Sequence, residues 1–341
     1  MPYYRTAEAV PQGSPTKVGV LLVNLGTPDS PTYRDVQRYL KEFLSDRRVI
    51  DTPRALWLPL LYGVVLPFRP FKTARNYKKI WLPEGSPLAV YSARLAGKVA
   101  AALTAKFGGG VAVELAMTYG NPSIASALQA LAAKNVTRLL VLPLYPHYCA
   151  STTGSVFDAT TAALNRVRYL PEVRFVNDYH DDAGYIEALR ASIEAHWAEQ
   201  GRRSHLLFSY HGIPRSYVER GDPYQRQAET TTALTVRALG LKSGEYSHCY
   251  QSRFGRVEWL KPYTIDTIEK FAADGMKRLT VVSPAFAVDC LETLEEVAIQ
   301  YRELFIEKGG EDLKLVPALN DSAAHVATLS NLIGSHLSGW V

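Results

Sequence analysis

The sequence predicts an α/β protein of two similar lobes, each a parallel sheet flanked by helices, with a central cleft. Three observations carry this. Four apolar runs, residues 18–25, 138–144, 206–210 and 279–282, each stop at a loop signal: Gly26-Thr27-Pro28, Tyr145-Pro146, His211-Gly212-Ile213-Pro214 and Ser283-Pro284. Unbroken apolar runs of this length suit strands covered on both faces, hence parallel sheets. Helical patterns separate them, over residues 92–106, 124–134 and 183–199. The chain also resembles itself. LLVNLGTPDS (21–30) parallels LLFSYHGIPRS (206–216), and VTRLLVLPLYP (136–146) parallels MKRLTVVSPAF (276–286), in the same order. A duplicated unit explains paired elements recurring in one order. The expected division is a first lobe over 1–175, with an insertion near 45–85, and a second lobe over 176–341.

Composition narrows the class. With 341 residues, 47% hydrophobic and 21% charged, the chain can bury a full core. A net charge of +5 is mild and lacks the clustering of a nucleic-acid binder, so no nucleic-acid partner is expected. Three widely spaced cysteines, Cys149, Cys249 and Cys290, make neither a disulfide framework nor a four-thiolate metal site. The N-terminal MPYYRTAEAVPQGSPTK has no apolar core of a leader. The most apolar stretch, residues 55–68, is shorter than a spanning helix and carries Pro59 and Pro67. A cytoplasmic protein with, at most, peripheral contact at the inner face of the membrane is expected. Gly108-Gly109-Gly110 follows a helical pattern, which excludes a phosphate fingerprint there.

Two segments carry chemistry. His211 ends the run LLFSY, which places an imidazole at the carboxyl end of a buried strand, where open α/β sheets bind ligands. It can accept a proton near neutral pH or bind a divalent transition metal, or else cap the strand. His147 also follows a strand and is the second choice, whereas His196 and His205 read as surface. After the fourth run, Asp289, Glu292 and Glu296 open a helical pattern at i, i+3 and i+7. On an α-helix these carboxylates share one face, a costly arrangement unless a cation passes along it. Dipole compensation in a first turn explains Asp289 and Glu292 equally well. The pair His211 and Glu292 is expected at one sheet edge, as a two-ligand metal site or an acid–base pair.

Five segments then resemble the ferrochelatase family: LLVNLGTPDSP, LYPHYCASTTGS (144–155), FSYHGIPRSYVERGDPY (208–224), CYQSRFGRVEWLKPYT (249–264) and SPAFAVDCLETLEE (283–296). They come in the family's order and span most of the chain. The resemblance implies two Rossmann-like lobes around a porphyrin cleft, with protoporphyrin IX and ferrous iron as substrates and protohaem as product. It makes His211 and Glu292 the catalytic and metal-binding pair, with Glu296 as a relay. It places Tyr119, Ser151, Thr153 and Tyr250 along the porphyrin cleft, and makes residues 55–71 a lip. No permanently bound cofactor is implied, and three cysteines argue against the [2Fe–2S] cluster of some relatives. Cys290 stands where some relatives have histidine, and Gln300 is neutral where a third carboxylate would extend the ladder. Remaining alternatives are an iron chelatase for coproporphyrin, a cobalt or nickel chelatase, and a porphyrin-binding protein without turnover.

Overall fold

The computed structural model describes residue 4 and residues 15–201, 203–255 and 257–341. Most of the segment read above for a leader lies outside the described residues. The chain forms two compact units. One comprises residues 1–145, 150–178 and 321–341; the other comprises 146–149 and 179–320. The expected boundary near 175 is close to the crossing at 178, but the last 21 residues belong with the first unit instead of the second.

The first unit holds four parallel strands, β1 (Lys17–Gly26), β2 (Val111–Tyr119), β3 (Val136–Pro143) and β4 (Glu172–Phe175), in the order β2-β1-β3-β4. The second holds β5 (His205–His211), β6 (Tyr246–Gln251), β7 (Arg278–Val282) and β8 (Asp312–Leu315), in the order β6-β5-β7-β8. The two orders are the same, as a duplicated unit requires. The four runs found in the sequence are the two inner strands of each sheet. The four outer strands have one neighbour each and mixed exposure, as in β4 and β8, so they lack an unbroken apolar run.

Burial on both faces is plainest in β5. Leu206, Phe208 and Tyr210 pack with Tyr224, Ala228 and Val236 on one side. Leu207 packs with Ile268, Val297 and Phe305 on the other. Helices start where the sequence supplies caps. Ser86 accepts from the Ala89 N–H before the helix Pro87–Phe107, and Asp182 from the Tyr185 N–H before Ala183–Glu199.

The insertion folds as helix Arg54–Leu60, a π-helical turn Leu61–Val65 and helix Leu66–Ile80. Pro70 has no N–H to give to the Leu66 carbonyl four residues back. Gln37 Nε2 at 3.1 Å and Tyr33 Oη at 3.3 Å donate to that carbonyl instead. Among the described residues, no helix is long and apolar enough to cross a membrane.

At the end of β1, Gly26 has φ +110°, and a Cβ there would lie 1.8 Å from the Tyr119 carbonyl oxygen. Only glycine fits. The C-terminal segment joins the first unit through its sheet edge. Arg174 donates to the Ser338 carbonyl at 3.0 Å and lies 4.0 Å from the Trp340 ring centroid. Arg138 donates to the Trp340 carbonyl, and Trp340 Nε1 to Glu172, both at 3.1 Å. Trp340 is buried. Trp340→Ala is therefore expected to cost about 3 kcal/mol, read as a lower urea midpoint; an unchanged midpoint would show that the terminus contributes no stability.

Candidate active site

His211 is the last residue of β5, and its Nδ1 lies 2.7 Å from the Gly212 carbonyl oxygen. A carbonyl only accepts, so Nδ1 carries the proton and Nε2 of the neutral ring carries the lone pair. The ring centroids of Trp259 and Phe286 each lie 6.4 Å from the imidazole. Gly212 is needed because a Cβ there would meet the Gln251 carbonyl oxygen at 2.9 Å and Trp259 at 3.0 Å.

The acidic segment departs from the expected α-helical stripe. Glu292–Tyr301 is a π-helix, whose i→i+5 bonding changes which residues share a face. Asp289 is no part of a stripe. It is buried, accepts from the Thr293 hydroxyl at 2.9 Å and the Asn320 amide at 2.7 Å, and so ties the helix start to the 317–320 segment. Burial pushes its carboxyl up despite these donors. Thr293 Oγ1 in turn accepts from the Cys290 N–H at 3.0 Å. The Cys290 thiol is pushed well up by burial, then by the Glu292 charge.

Glu296 carries three donors: the Ser252 N–H at 3.0 Å, the Ser252 hydroxyl at 2.5 Å and the Tyr301 hydroxyl at 2.6 Å. Ser252 holds φ +64°, a left-handed backbone that a side-chain anchor helps to maintain. Gln300 donates to the buried Glu295, which gives the neutral residue of the ladder a partner of its own.

Gln251 links the strand end at His211 to the backbone of Glu292. His211 and Gln251 are register partners in β5 and β6, and Gln251 Nε2 donates to the Glu292 carbonyl at 3.1 Å. Sequence reading missed Gln251 and Ser252, because an uncharged pair at the end of an outer strand carries no periodic or titratable signal, and Tyr301, because its bond to Glu296 depends on the π-helical turn.

Of the other nominated residues, Tyr119, Ser151 and Thr153 lie in the first unit and Tyr250 in the second. Tyr119 ends β2 and donates to Asp46 Oδ2 at 2.7 Å; burial pushes its phenol up. Ser151 and Thr153 sit in the π-helical turn Ala150–Gly154, Ser151 partly exposed and Thr153 buried. Tyr250 is buried, its ring 4.9 Å from His248 and 6.4 Å from Tyr210. His147 is buried as well. The Thr231 hydroxyl gives its proton to the His180 carbonyl at 2.7 Å, so it accepts from His147 Nε2 at 2.8 Å. His147 is thereby an internal tie. His196 is a correction: it is buried on the inner face of its helix, and desolvation lowers its pKa.

His248 lies beneath this edge, stacked 4.8 Å from Tyr210, with Nδ1 2.9 Å from Thr232 Oγ1. Desolvation pushes its imidazole down from 6.5 to about 4. The folded chain thus binds this proton less readily than the unfolded one. The stability it confers is full above pH 6.5 and is lost as pH falls towards 4. His248→Phe is expected to flatten the stability–pH curve in that window, measured by urea unfolding at stepped pH; an unaltered slope would assign the acid sensitivity elsewhere.

Two parallel four-stranded sheets flanked by helices, with His211 at the carboxyl end of β5, give this chain the fold seen in solved chelatases. Similar solved folds include SirB from Bacillus subtilis with Fe3+, at TM-score 0.56 and 11% identity, covering 94% of this chain and 95% of that one. The siroheme-biosynthesis enzyme CbiX aligns at TM-score 0.51 and 16% identity, covering 93% and 98%. The ferrochelatase family profile matches residues 17–337. Ferrochelatase of Thioalkalivibrio sulfidiphilus is 49% identical over 96% of this chain and 89% of that relative. Ferrochelatase of Vibrio parahaemolyticus is 49% identical over 94% and 98%. The chain belongs to the ferrochelatase family.

Proposed function

We propose that His211 and Glu292 divide the chemistry of iron insertion at the carboxyl edge of the second sheet. Membership of the family makes the chain a lyase of haem biosynthesis that inserts Fe2+ into protoporphyrin IX, giving protohaem and two protons. The observation that carries the assignment is the Nδ1 tie to the Gly212 carbonyl, which leaves His211 Nε2 as the basic nitrogen.

Free porphyrin holds two pyrrole protons in its central ring, and both must leave as the metal enters. In this reading Nε2 takes the first pyrrole proton, releases it to solvent, and then takes the second. Fe2+ arrives as substrate and binds nitrogen and carboxylate ligands that can release it. Glu292 guides it. Glu296, clamped by Ser252 and Tyr301, is the relay member that holds the π-helix in register with Glu292. Tyr119, Ser151 and Thr153 within the first unit, and Tyr250 within the second, are the residues that the family resemblance assigns to porphyrin contact. No resident cofactor enters this reading. A [2Fe–2S] cluster takes four thiolates, and the chain has three cysteines, each buried.

His211→Ala is expected to lower kcat by about a hundredfold or more in an anaerobic Fe2+ and protoporphyrin assay followed by absorbance, with porphyrin binding retained by fluorescence. Near-normal insertion would refute the assignment.

The proposed location is cytoplasmic, with peripheral contact at the inner face of the membrane and no nucleic-acid partner. The insertion supports this. Leu56 is 70% exposed, Phe68 69% and Phe71 62%, and Arg69, Lys72 and Lys79 are exposed beside them. Exposed aromatic and basic side chains on one helical segment suit an anionic interface. Phe68→Asp with Phe71→Asp is expected to abolish co-sedimentation with vesicles containing anionic lipid; undiminished binding would remove this contact.

A further inference from the structure

We infer that Gln251 is the positioning residue that fixes His211 and Glu292 in one geometry. The inference rests on the assignment of those two residues and extends it to a side chain with no titratable group. Gln251 ends β6 and is buried, so each of its polar atoms needs a partner. Its carbonyl accepts from the Gly212 N–H at 2.9 Å. Gly212 is the residue whose own carbonyl takes the Nδ1 proton of His211. Its side-chain Oε1 accepts from the Ser209 hydroxyl at 2.7 Å and lies 3.4 Å from that of Ser283. Its Nε2 donates to the Glu292 carbonyl at 3.1 Å.

One residue therefore joins the ends of β5, β6 and β7 to the first turn of the π-helix. The chemistry demands a carboxamide. The position needs an acceptor towards two serine hydroxyls and a donor towards a carbonyl, on one rigid plane. Glutamate would present an acceptor to the Glu292 carbonyl, and methionine would present neither group. Gln251 Nε2 gives the Glu292 carbonyl a donor from the neighbouring strand, beyond the helix's own bonding, and so ties the backbone from which the Glu292 side chain projects. Partners of this kind orient the groups that meet a metal.

Four forms of the full chain test this: wild type, Gln251→Met, Glu292→Gln and the double variant, with Gln251→Glu as a second substitution that keeps the side chain's volume and its acceptor towards Ser209. Initial rates are taken against Fe2+ and against protoporphyrin separately, with circular dichroism confirming the fold. Gln251→Met or Gln251→Glu is expected to lower kcat/KM for Fe2+ by roughly tenfold to a hundredfold, with the porphyrin KM unchanged within about twofold. The double variant is expected to be no worse than Glu292→Gln alone, because the Gln251 side chain acts through Glu292, while its link to Gly212 is a backbone bond that substitution leaves in place. Iron parameters that stay at wild-type values in a folded Gln251 variant, while Glu292→Gln is impaired, would overturn the inference and leave the assignment standing. Losses that multiply in the double variant, or that fall on porphyrin instead of iron, would also overturn it. Full activity of Glu292→Gln would instead overturn the assignment beneath it.

Discussion

The constraint on which the structure depends is the covering of β1 and β5 on both faces. A strand between two helical layers has no solvent-facing side, so every residue along it must be apolar or carry its own partner. Between the histidines at its two ends, β5 carries two polar side chains: Ser209, satisfied by Gln251 and Thr264, and Tyr210, whose hydroxyl meets that of Thr232. The first position where an imidazole can meet a ligand is the strand's carboxyl end. His211 stands there, and the turn that follows fixes its tautomer.

That constraint also decides what the sequence discloses. The inner strands β1, β3, β5 and β7 are legible because burial on both faces writes a continuous apolar run. The outer strands are not, since GLU172–Phe175 and Asp312–Leu315 mix charge with apolar residues. His211 is legible as the first titratable residue after such a run, and its pairing with Glu292 at one sheet edge follows from the internal repeat, but their joint work on iron and porphyrin needed the family's motifs. Asp289 misled because an α-helical period was assumed. Nothing in local composition distinguishes i→i+5 from i→i+4 bonding, and only packing revealed that Asp289 ties down Asn320. Gln251 escaped because an amide has no charge to draw notice and acts only through tertiary contacts.

Three π-helical segments occur among the described residues: Leu61–Val65, Ala150–Gly154 and Glu292–Tyr301. Each falls in a segment that the sequence had nominated, as lip, porphyrin wall or acidic ladder. Such turns are rare. Two of the three lie beside carbonyls that take a donor from another element. Tyr33 and Gln37 serve the Leu66 carbonyl directly after the first, and Gln251 serves Glu292 at the start of the last. The irregular helices are thus held by specific side chains, which makes their geometry sensitive to single substitutions.

Gly26 gives the two halves unequal fates. In the aligned pair LLVNLGTP and LLFSYHGIP it occupies the place of His211, and the Tyr119 carbonyl lies where its Cβ would be. The first half therefore has no room for a reactive side chain at the position where the second half carries one. A protein engineer seeking a symmetrical, two-centred version of this fold could not simply transplant the histidine. The end of β2 would have to be rebuilt first, because the obstructing atom is a backbone oxygen that any residue at position 119 would carry.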